Sequence, residues 1–207
     1  MAIAGGFDLQ RVQKIRKGAL LAALALVTGL GFVTANRWGG EGFHEGVELL
    51  GRAMIVVAIV GRAWCSLYIG GRKKAEIVDR GPYSISRNPL YVFSFIGAFG
   101  MGAQTGSVTL ATLFTVVAFG VFFLTLKREE AWLSEAFGET YEAYRRRTPR
   151  FGPDFSLWRD AETLEVRPRF FLTTIRDGLV FFLAIPLFEG AERLQHIGWL
   201  STLLHLP

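Results

Sequence analysis

Three long apolar runs divide this sequence and restrict what the chain can fold into. They cover residues 18–35, 49–70 and 107–126, and each approaches the roughly 20 residues that an α-helix needs to cross a bilayer. The chain is 51% hydrophobic, and its mean hydropathy of +0.32 lies outside the range of ordinary soluble domains. The pattern therefore predicts an all-α fold, a polytopic transmembrane helical bundle.

Two further apolar stretches are less regular. Residues 90–104 form a shorter run followed by the turn-like sequence QTGS, which predicts a tight helical hairpin with the run after it. Residues 170–188 are a candidate span that Arg176 and Asp177 interrupt. The tail, residues 194–206, is too short to cross and is expected to lie along an interface. We therefore expect about five spans.

Basic residues indicate the orientation, because Lys and Arg are retained on the cytoplasmic side of a membrane. Of the 23 Lys and Arg residues, 18 precede the first span or lie in residues 71–89 and 127–169, whereas Arg37 and Arg193 fall on the opposite side. The amino terminus and these two polar stretches are therefore predicted to face the cytoplasm.

Composition and residue placement exclude several other classes of function. The isoelectric point near 9.7 would suit a nucleic-acid-binding protein, but the basic residues flank predicted spans without interleaved aromatic residues that stack on bases. Lipid headgroups are the expected phosphate partners. A single cysteine, Cys65, excludes an internal disulfide. Because His44, His196 and His205 are all assigned to the opposite face and no paired metal-ligand motif is present, metal catalysis is not expected and no metal ligands are predicted.

Hydrogen-bonding residues are concentrated in the two cytoplasmic stretches. The first, GPYSISRNPLY, covers residues 81–91, and its Pro89 suits the first turn of the following helix, where a backbone N–H needs no partner. The second, KREEAWLSEAFGETYEAYRRRTPRFGP, covers residues 127–153 and places Glu129 and Glu130 at the membrane edge. Paired carboxylates there are costly unless they face water, a cation or a protein cavity.

The later part of the second stretch permits two interpretations. Gly138 is expected to stop or kink the helix that continues from the fourth span. Tyr141 and Tyr144 lie near one another at helical spacing and are either cavity residues or interfacial anchors. Arg145 to Arg147 are predicted to contact the lipid surface.

Together the two stretches resemble the isoprenylcysteine carboxyl methyltransferase and phospholipid methyltransferase superfamily of integral membrane enzymes. There the pattern reads G-x-Y-x-x-x-R-H/N-P-x-Y, then E-E-x-x-L, F-G-x-x-Y-x-x-Y and a basic-aromatic or basic-proline element. The resemblance covers residues 62–153, with both motifs in the right order around an apolar hairpin. We accordingly expect one membrane domain, residues 1–207, with amino-terminal spans in 1–70, a methyltransferase core in 71–153 and an extension in 154–207.

The resemblance implies an enzyme that binds S-adenosylmethionine at the cytoplasmic membrane surface and methylates an amphiphilic acceptor entering from the bilayer. The cofactor carries a carboxylate, an ammonium, a ribose diol and an adenine, so it needs cationic or amide donors, a carboxylate and apolar walls. Asn88 stands where the carboxyl methyltransferases carry His, so proton transfer by this residue is not expected. The candidate cofactor-binding residues are Val78, Tyr83, Arg87, Asn88, Pro89, Leu90, Tyr91, Glu129 and Glu130.

The candidate catalytic residues are Arg62, Arg87 and Glu129. Arg62 lies within the second predicted span, where a charge costs about 2.5 kcal/mol or more without a partner. It matches an Arg-to-Gly spacing in GRAWCSLYIGG, and in the superfamily that Arg is implicated in holding the acceptor. The alternative is an arginine that snorkels or pairs with a buried carbonyl. Methyl transfer from a sulfonium needs mainly in-line positioning, which can supply about 7 kcal/mol or more.

Two other functions stay open at this point. Sterol and related double-bond reductases have a similar helical core but use NADPH, and a non-catalytic membrane protein could keep the scaffold, a reading that Asn88 favours. The shared motifs do not choose among a lipid headgroup amine, an isoprenylcysteine carboxylate and a thiol as the acceptor. They do not fix the oligomeric state either.

Overall fold

The structure of the chain is a computed structural model that describes residues 25, 28–36, 41–72 and 75–206. Half of the first predicted span, residues 18–35, lies outside the described residues, and 28–33 are helical. The helices are α1 (Glu41–Ile69), α2 (Pro82–Ile85), α3 (Pro89–Ala103), α4 (Val108–Phe137), α5 (Glu139–Arg147), α6 (Pro168–Leu179) and α7 (Ala184–His196). Short 3₁₀ helices cover Phe155–Leu157 and Val180–Leu183, the second of which joins α6 to α7.

The prediction of an all-helical membrane fold is confirmed. The strands within the described ranges are two three-residue segments, β1 (Thr34–Asn36) and β2 (Leu204–Leu206), which pair in parallel. In the part of the chain that the structure describes, three helical segments are long and apolar enough to cross a membrane, namely Gly42–Ile69, Val108–Phe137 and Pro168–His196. The predicted count of five spans is not confirmed, since half of the first span lies outside the described residues and α3 has only 15 residues.

The carboxyl-terminal span is longer than the predicted run, residues 170–188. Helical structure continues from Pro168 to His196, and Arg176 and Asp177, which pair with each other at 3.2 Å from exposed positions, lie within it. The tail then turns back at Gly198, which has a positive φ of 78°, and its last residues form β2.

Helices α1 and α3 approach each other closely through small residues. A Cβ atom on Gly51 would lie 2.8 Å from the carbonyl oxygen of Gly100, and one on Gly100 would lie 2.7 Å from that of Gly51. Gly97 faces Ala58 along the same interface, at 3.0 Å from its would-be Cβ. Van der Waals packing drives helix association in lipid, where no hydrophobic effect acts between helices, so these contacts hold the core together.

Helices α3 and α4 form the predicted hairpin. Gly106, with φ of 65°, supplies the left-handed turn, and the Ser107 side chain caps α4 by accepting a hydrogen bond from the Leu110 N–H at 3.3 Å. Helix α4 has 30 residues and is therefore about 45 Å long, longer than the roughly 30 Å hydrocarbon core. Its last turns thus carry Glu129 and Glu130 out of the apolar region, and Gly138 ends it as predicted, with φ of 51°.

Opposite ends of the bundle carry different chemistry. At one end the α3–α4 turn meets the start of α1, where the Gln104 side chain donates to the Glu48 carbonyl oxygen at 3.2 Å. At the other end α2 meets α5, where the Tyr144 hydroxyl donates to the Tyr83 carbonyl oxygen at 2.8 Å. Both predicted polar stretches lie at this second end.

The close α1–α3 contact predicts a large effect from a single methyl group. Replacing Gly100 with alanine should destabilise the protein by about 1–3 kcal/mol, because the added methyl meets backbone that cannot move aside cheaply. Gly120→Ala in α4 is the matched control, since nothing lies within 4 Å of its would-be Cβ. The check is the melting temperature in detergent, and equal melting temperatures for the two variants would contradict the described interface.

Candidate functional site

A cavity of about 150 Å³ lies at the polar end of the bundle, between the two predicted motifs. It is bounded by the end of α1, the loop after it, the α2–α3 junction, α4 and α5. Its walls are mostly aliphatic and aromatic, with charged and amide groups at a few places. The lining residues are Ile69, Glu76, Ile77, Val78, Tyr83, Arg87, Asn88, Leu90, Tyr91, Glu129, Leu133, Tyr141 and Tyr144.

The first motif folds as a short helix, α2, and an extended link to α3. Gly81 precedes α2 with φ of 56°, and the Tyr68 ring lies 2.3 Å from where its Cβ would be, so only glycine fits there. Pro82 and Pro89 begin α2 and α3, positions that need no backbone donor. Between them the Arg87 N–H donates to the Pro149 carbonyl oxygen at 2.8 Å, which joins this link to the segment after α5.

Asn88 precedes α3 but does not cap it, since its side chain makes no cap hydrogen bond. Its amide nitrogen instead donates to the Arg150 carbonyl oxygen at 3.2 Å and to the Glu130 carboxylate at 3.4 Å. The amide is therefore held in place beside the cavity that it lines.

The two neighbouring carboxylates of α4 have different surroundings. Glu130 is 9% exposed; Arg150 contacts both of its oxygens, at 3.3 and 2.8 Å, and Arg87 lies 3.4 Å away. Glu129 faces the cavity and accepts a hydrogen bond from the Tyr91 hydroxyl at 3.1 Å. Glu130 is thus the centre of a buried ion cluster, whereas Glu129 presents a carboxylate to the cavity.

Arg87 connects the ion cluster to the cavity. Its side chain is buried, and Nη1 is the atom that pairs with Glu130 at 3.4 Å, although neither Nε nor Nη1 makes a hydrogen bond within the described residues. A buried donor that lacks an acceptor is costly, and an anion in the adjacent cavity would supply one. Among the candidate residues, Arg87 therefore fits best the carboxylate of an amino-acid-like ligand.

Three tyrosines form the part of the cavity wall farthest from solvent. Burial raises the pKa of Tyr83 well above its ordinary value and also raises the pKa values of Tyr141 and Tyr144. Their hydroxyl groups therefore stay neutral over the whole physiological pH range. Tyr144 and Tyr83 are further fixed by the hydrogen bond between α5 and α2.

Arg62 lies deeper in the bundle than the cavity. Its guanidinium donates to the Ser94 hydroxyl, which in turn donates to the carbonyl oxygen of the cavity residue Leu90 at 2.8 Å. The Phe181 ring lies 6.0 Å from the guanidinium carbon, and the Arg62 Nε has no hydrogen-bond partner in the described structure. Arg62 is thus about one helical turn from the cavity, among α1, α3 and the 3₁₀ segment before α7.

The structure brings most of the sequence-predicted residues together. Val78, Tyr83, Arg87, Asn88, Leu90, Tyr91 and Glu129 line the cavity. Pro89 begins α3 behind the wall, Glu130 lies in the ion cluster and Arg62 lies one turn below. The lining residues that were not among the site candidates are Ile69, Glu76, Ile77 and Leu133. Of these, Leu133 is the leucine of the E-E-x-x-L motif, one turn after Glu129. Tyr141 and Tyr144 also line the cavity, which agrees with their interpretation as cavity residues and not as interfacial anchors.

The three arginines at the end of α5 are engaged in ion pairs on the protein surface. Arg145 contacts Glu142 at 3.2 Å, Arg146 pairs with Glu139 and Arg147 pairs with Asp79. Exposed ion pairs contribute little to stability. The predicted contact of these arginines with a lipid surface stays a prediction.

The environments of the two carboxylates predict that the same substitution changes stability much more at Glu130 than at Glu129. Glu130→Gln should destabilise the protein by about 2–3 kcal/mol, because it leaves buried arginine charge uncompensated. Glu129→Gln should change stability by less than about 1 kcal/mol, since the Tyr91 hydrogen bond can persist. Unfolding in mixed micelles measures both, and a larger loss for Glu129→Gln would reverse the assigned roles.

Comparison with known proteins finds a family whose matched region contains many of the cavity residues. The phospholipid methyltransferase family matches residues 49–140. The protein-S-isoprenylcysteine O-methyltransferase of Schizosaccharomyces pombe is 33% identical over 90 residues, which are 43% of this chain and 38% of that protein. No solved structure matches the chain.

Two bacterial relatives match over most of their length. The nickel-cobalt-cadmium resistance protein NccN of Alcaligenes xylosoxydans is 36% identical over 184 residues, covering 89% of this chain and 84% of the relative. The cobalt-zinc-cadmium resistance protein CzcN of Cupriavidus metallidurans is 34% identical over 171 residues, covering 83% and 79%.

Proposed function

We propose, from the premise that this chain belongs to the membrane methyltransferase superfamily of the phospholipid and isoprenylcysteine enzymes, that it is an S-adenosylmethionine-dependent methyltransferase. Its three apolar helices and its family make it an integral membrane protein. One observation carries the proposal: a single cavity combines a buried arginine without a full set of acceptors, a positioned amide and a carboxylate.

The cavity residues fit the polar groups of the proposed methyl donor. Arg87, near the amino end of α3, is suited to bind its carboxylate, since a helix amino terminus also attracts anions. Glu129 is suited to bind its ammonium or a ribose hydroxyl, and Val78, Tyr83 and Leu133 offer apolar surface for the purine. When bound, S-adenosylmethionine supplies an electrophilic methyl group.

The acceptor is proposed to approach through the bundle on the Arg62 side. Arg62 is held by Ser94 and faces Phe181, and its remaining donors suit a carboxylate or phosphate better than an ammonium. These residues bind and position the methyl donor and the acceptor and exclude water, because the methyl transfer needs in-line geometry more than proton transfer. An amphiphile with an anionic group is the acceptor class that this arrangement favours.

The acceptor class is testable with purified protein in lipid vesicles. We expect methyl transfer from labelled S-adenosylmethionine to a prenylcysteine carboxylate analogue or to a component of a total lipid extract. A panel that also contains a neutral alkyl thiol and an amine without an anionic group distinguishes the classes. Transfer to those two acceptors alone would contradict the assigned role of Arg62.

A second candidate function is participation in resistance to divalent transition metals. Two relatives with more than 30% identity are named for such resistance, and methylation of a membrane component could contribute to it. This link is tested by growing a deletion strain that carries either the wild-type gene or the Glu129→Gln variant on media containing nickel, cobalt or cadmium. Equal resistance with both genes would separate resistance from the cavity.

Glu129→Gln is predicted to weaken binding of S-adenosylmethionine by about 1.5–3 kcal/mol, because it removes a charge-assisted contact. Glu135→Gln is the matched control, since Glu135 is an exposed glutamate on the same helix. Calorimetric titration of the protein in detergent measures both variants. Unchanged affinity for Glu129→Gln would remove this residue from the site, and binding of NADPH instead would favour the reductase alternative.

The active site is proposed to face the cytoplasm. Ser84 and Thr148, although at the correct end, are buried, so the exposed Ser156 and Glu45 are better labelling positions. In a Cys65→Ala background, Ser156→Cys should react with a membrane-impermeant maleimide only after the cell is opened, whereas Glu45→Cys should react from outside. The reverse pattern would invert the orientation.

A further inference from the structure

A cluster of metal-ligating side chains lies at the end of the bundle opposite the cavity. Its members are His44 and Glu48 on α1 and Glu192 on α7. The Nε2 atom of His44 lies 3.3 Å from Glu48 Oε1 and 2.8 Å from Glu192 Oε1. The three ligand atoms lie within 4.8 Å of one another.

The 3.3 Å distance between His44 and Glu48 is that expected between two ligands of one metal ion, whereas the 2.8 Å distance between His44 and Glu192 is that of a hydrogen bond. Zinc bonds to imidazole nitrogen and carboxylate oxygen are about 2.0–2.2 Å long, so neighbouring ligands of a tetrahedral zinc are about 3.3 Å apart. His44 and Glu48 are also separated by four residues, which places both on one face of α1. Small side-chain movements would bring all three atoms to one ion.

The imidazole of His44 is oriented by its packing against the α3–α4 turn. Its Nδ1 lies 1.9 Å from where a Cβ of Gly106 would be, so only glycine leaves room for the ring. The other nitrogen, Nε2, therefore points toward the carboxylates. Close packing of this kind limits rotation of the ring, so Nε2 keeps its direction toward the carboxylates.

The charged groups around the cluster leave the ligand atoms accessible. Arg52 contacts Glu48 through its other oxygen, Oε2, at 3.8 Å, so Oε1 stays directed at His44. Glu189 lies on α7 one turn before Glu192 and adds negative charge. All three ligands are partly exposed, so an ion can enter from solvent.

We propose that His44, Glu48 and Glu192 bind a divalent transition-metal ion of the zinc class, with a water molecule in the remaining position. One imidazole and two carboxylates suit such an ion better than the all-oxygen ligand sets that calcium and magnesium prefer. The site joins α1 to α7, which gives the carboxyl-terminal extension a role outside the cavity. The inference rests on this geometry and not on the proposed methyl transfer.

The test is zinc binding by the full-length protein in detergent after treatment with a chelator. Titration of Zn²⁺ against a chromophoric chelator should show one ion per chain. His44→Ala and Glu192→Gln should each weaken the affinity by about ten-fold or more, the loss that changes even to supporting residues cause at metal sites. His196→Ala is the control, because His196 is exposed on α7, the helix that carries Glu192, and lies outside the cluster.

Three results would overturn the proposal. The wild-type protein could fail to bind zinc stoichiometrically, or both cluster variants could bind it as the wild type does. A loss of thermal stability in His44→Ala without zinc binding by the wild type would identify the cluster as an ion pair only. Should His44→Ala fail to fold, Glu192→Gln decides, since it keeps the shape of the side chain. Binding of S-adenosylmethionine, measured in parallel, reports on the other site separately.

Discussion

The buried carboxylate of Glu130 is the interaction on which the polar end of this protein depends. It binds Arg150 from the segment after α5, Arg87 from the α2–α3 link and the Asn88 amide. These partners come from two parts of the chain, so one charge on α4 joins the α2–α3 link to the segment after α5. Without Glu130 both arginines would lose a counter-charge, and the Tyr91 hydrogen bond to Glu129 would remain as a tie between the first motif and α4.

This arrangement divides the work of the paired glutamates. Consecutive residues on a helix point in directions about 100° apart, so when Glu130 faces the arginines, Glu129 is turned toward the cavity and Tyr91. Arg87 serves both sides, since it lies near Glu130 and keeps buried donors at the cavity wall. The ion cluster thus positions a cation and an amide beside a carboxylate, which is the combination that an amino-acid-like methyl donor requires.

The sequence predicted the helical fold, the α3–α4 hairpin and most of the cavity wall because these follow from local patterns: apolar run length, the proline at the start of α3 and the glycine after α4. It placed Glu130 with Glu129 among the cofactor-binding candidates, because the pairing of Glu130 depends on Arg150, which lies 20 residues away along the chain. It proposed a span across Arg176 and Asp177 but ended it at residue 188, because the polar residues that follow end the apolar run although the helix continues to His196. The contact of His44 with Glu192 joins distant helices, which no local pattern reveals.

We infer that the cavity at the polar end of the bundle binds the methyl donor. Ultraviolet crosslinking of S-adenosylmethionine carrying a labelled methyl group, followed by peptide mapping, tests it most directly. Label is expected in peptides that contain residues 76–91 or 129–144. Unlabelled S-adenosylmethionine should compete with this labelling, whereas NADPH should not. Label confined to other peptides, or label that excess cofactor does not displace, would contradict it.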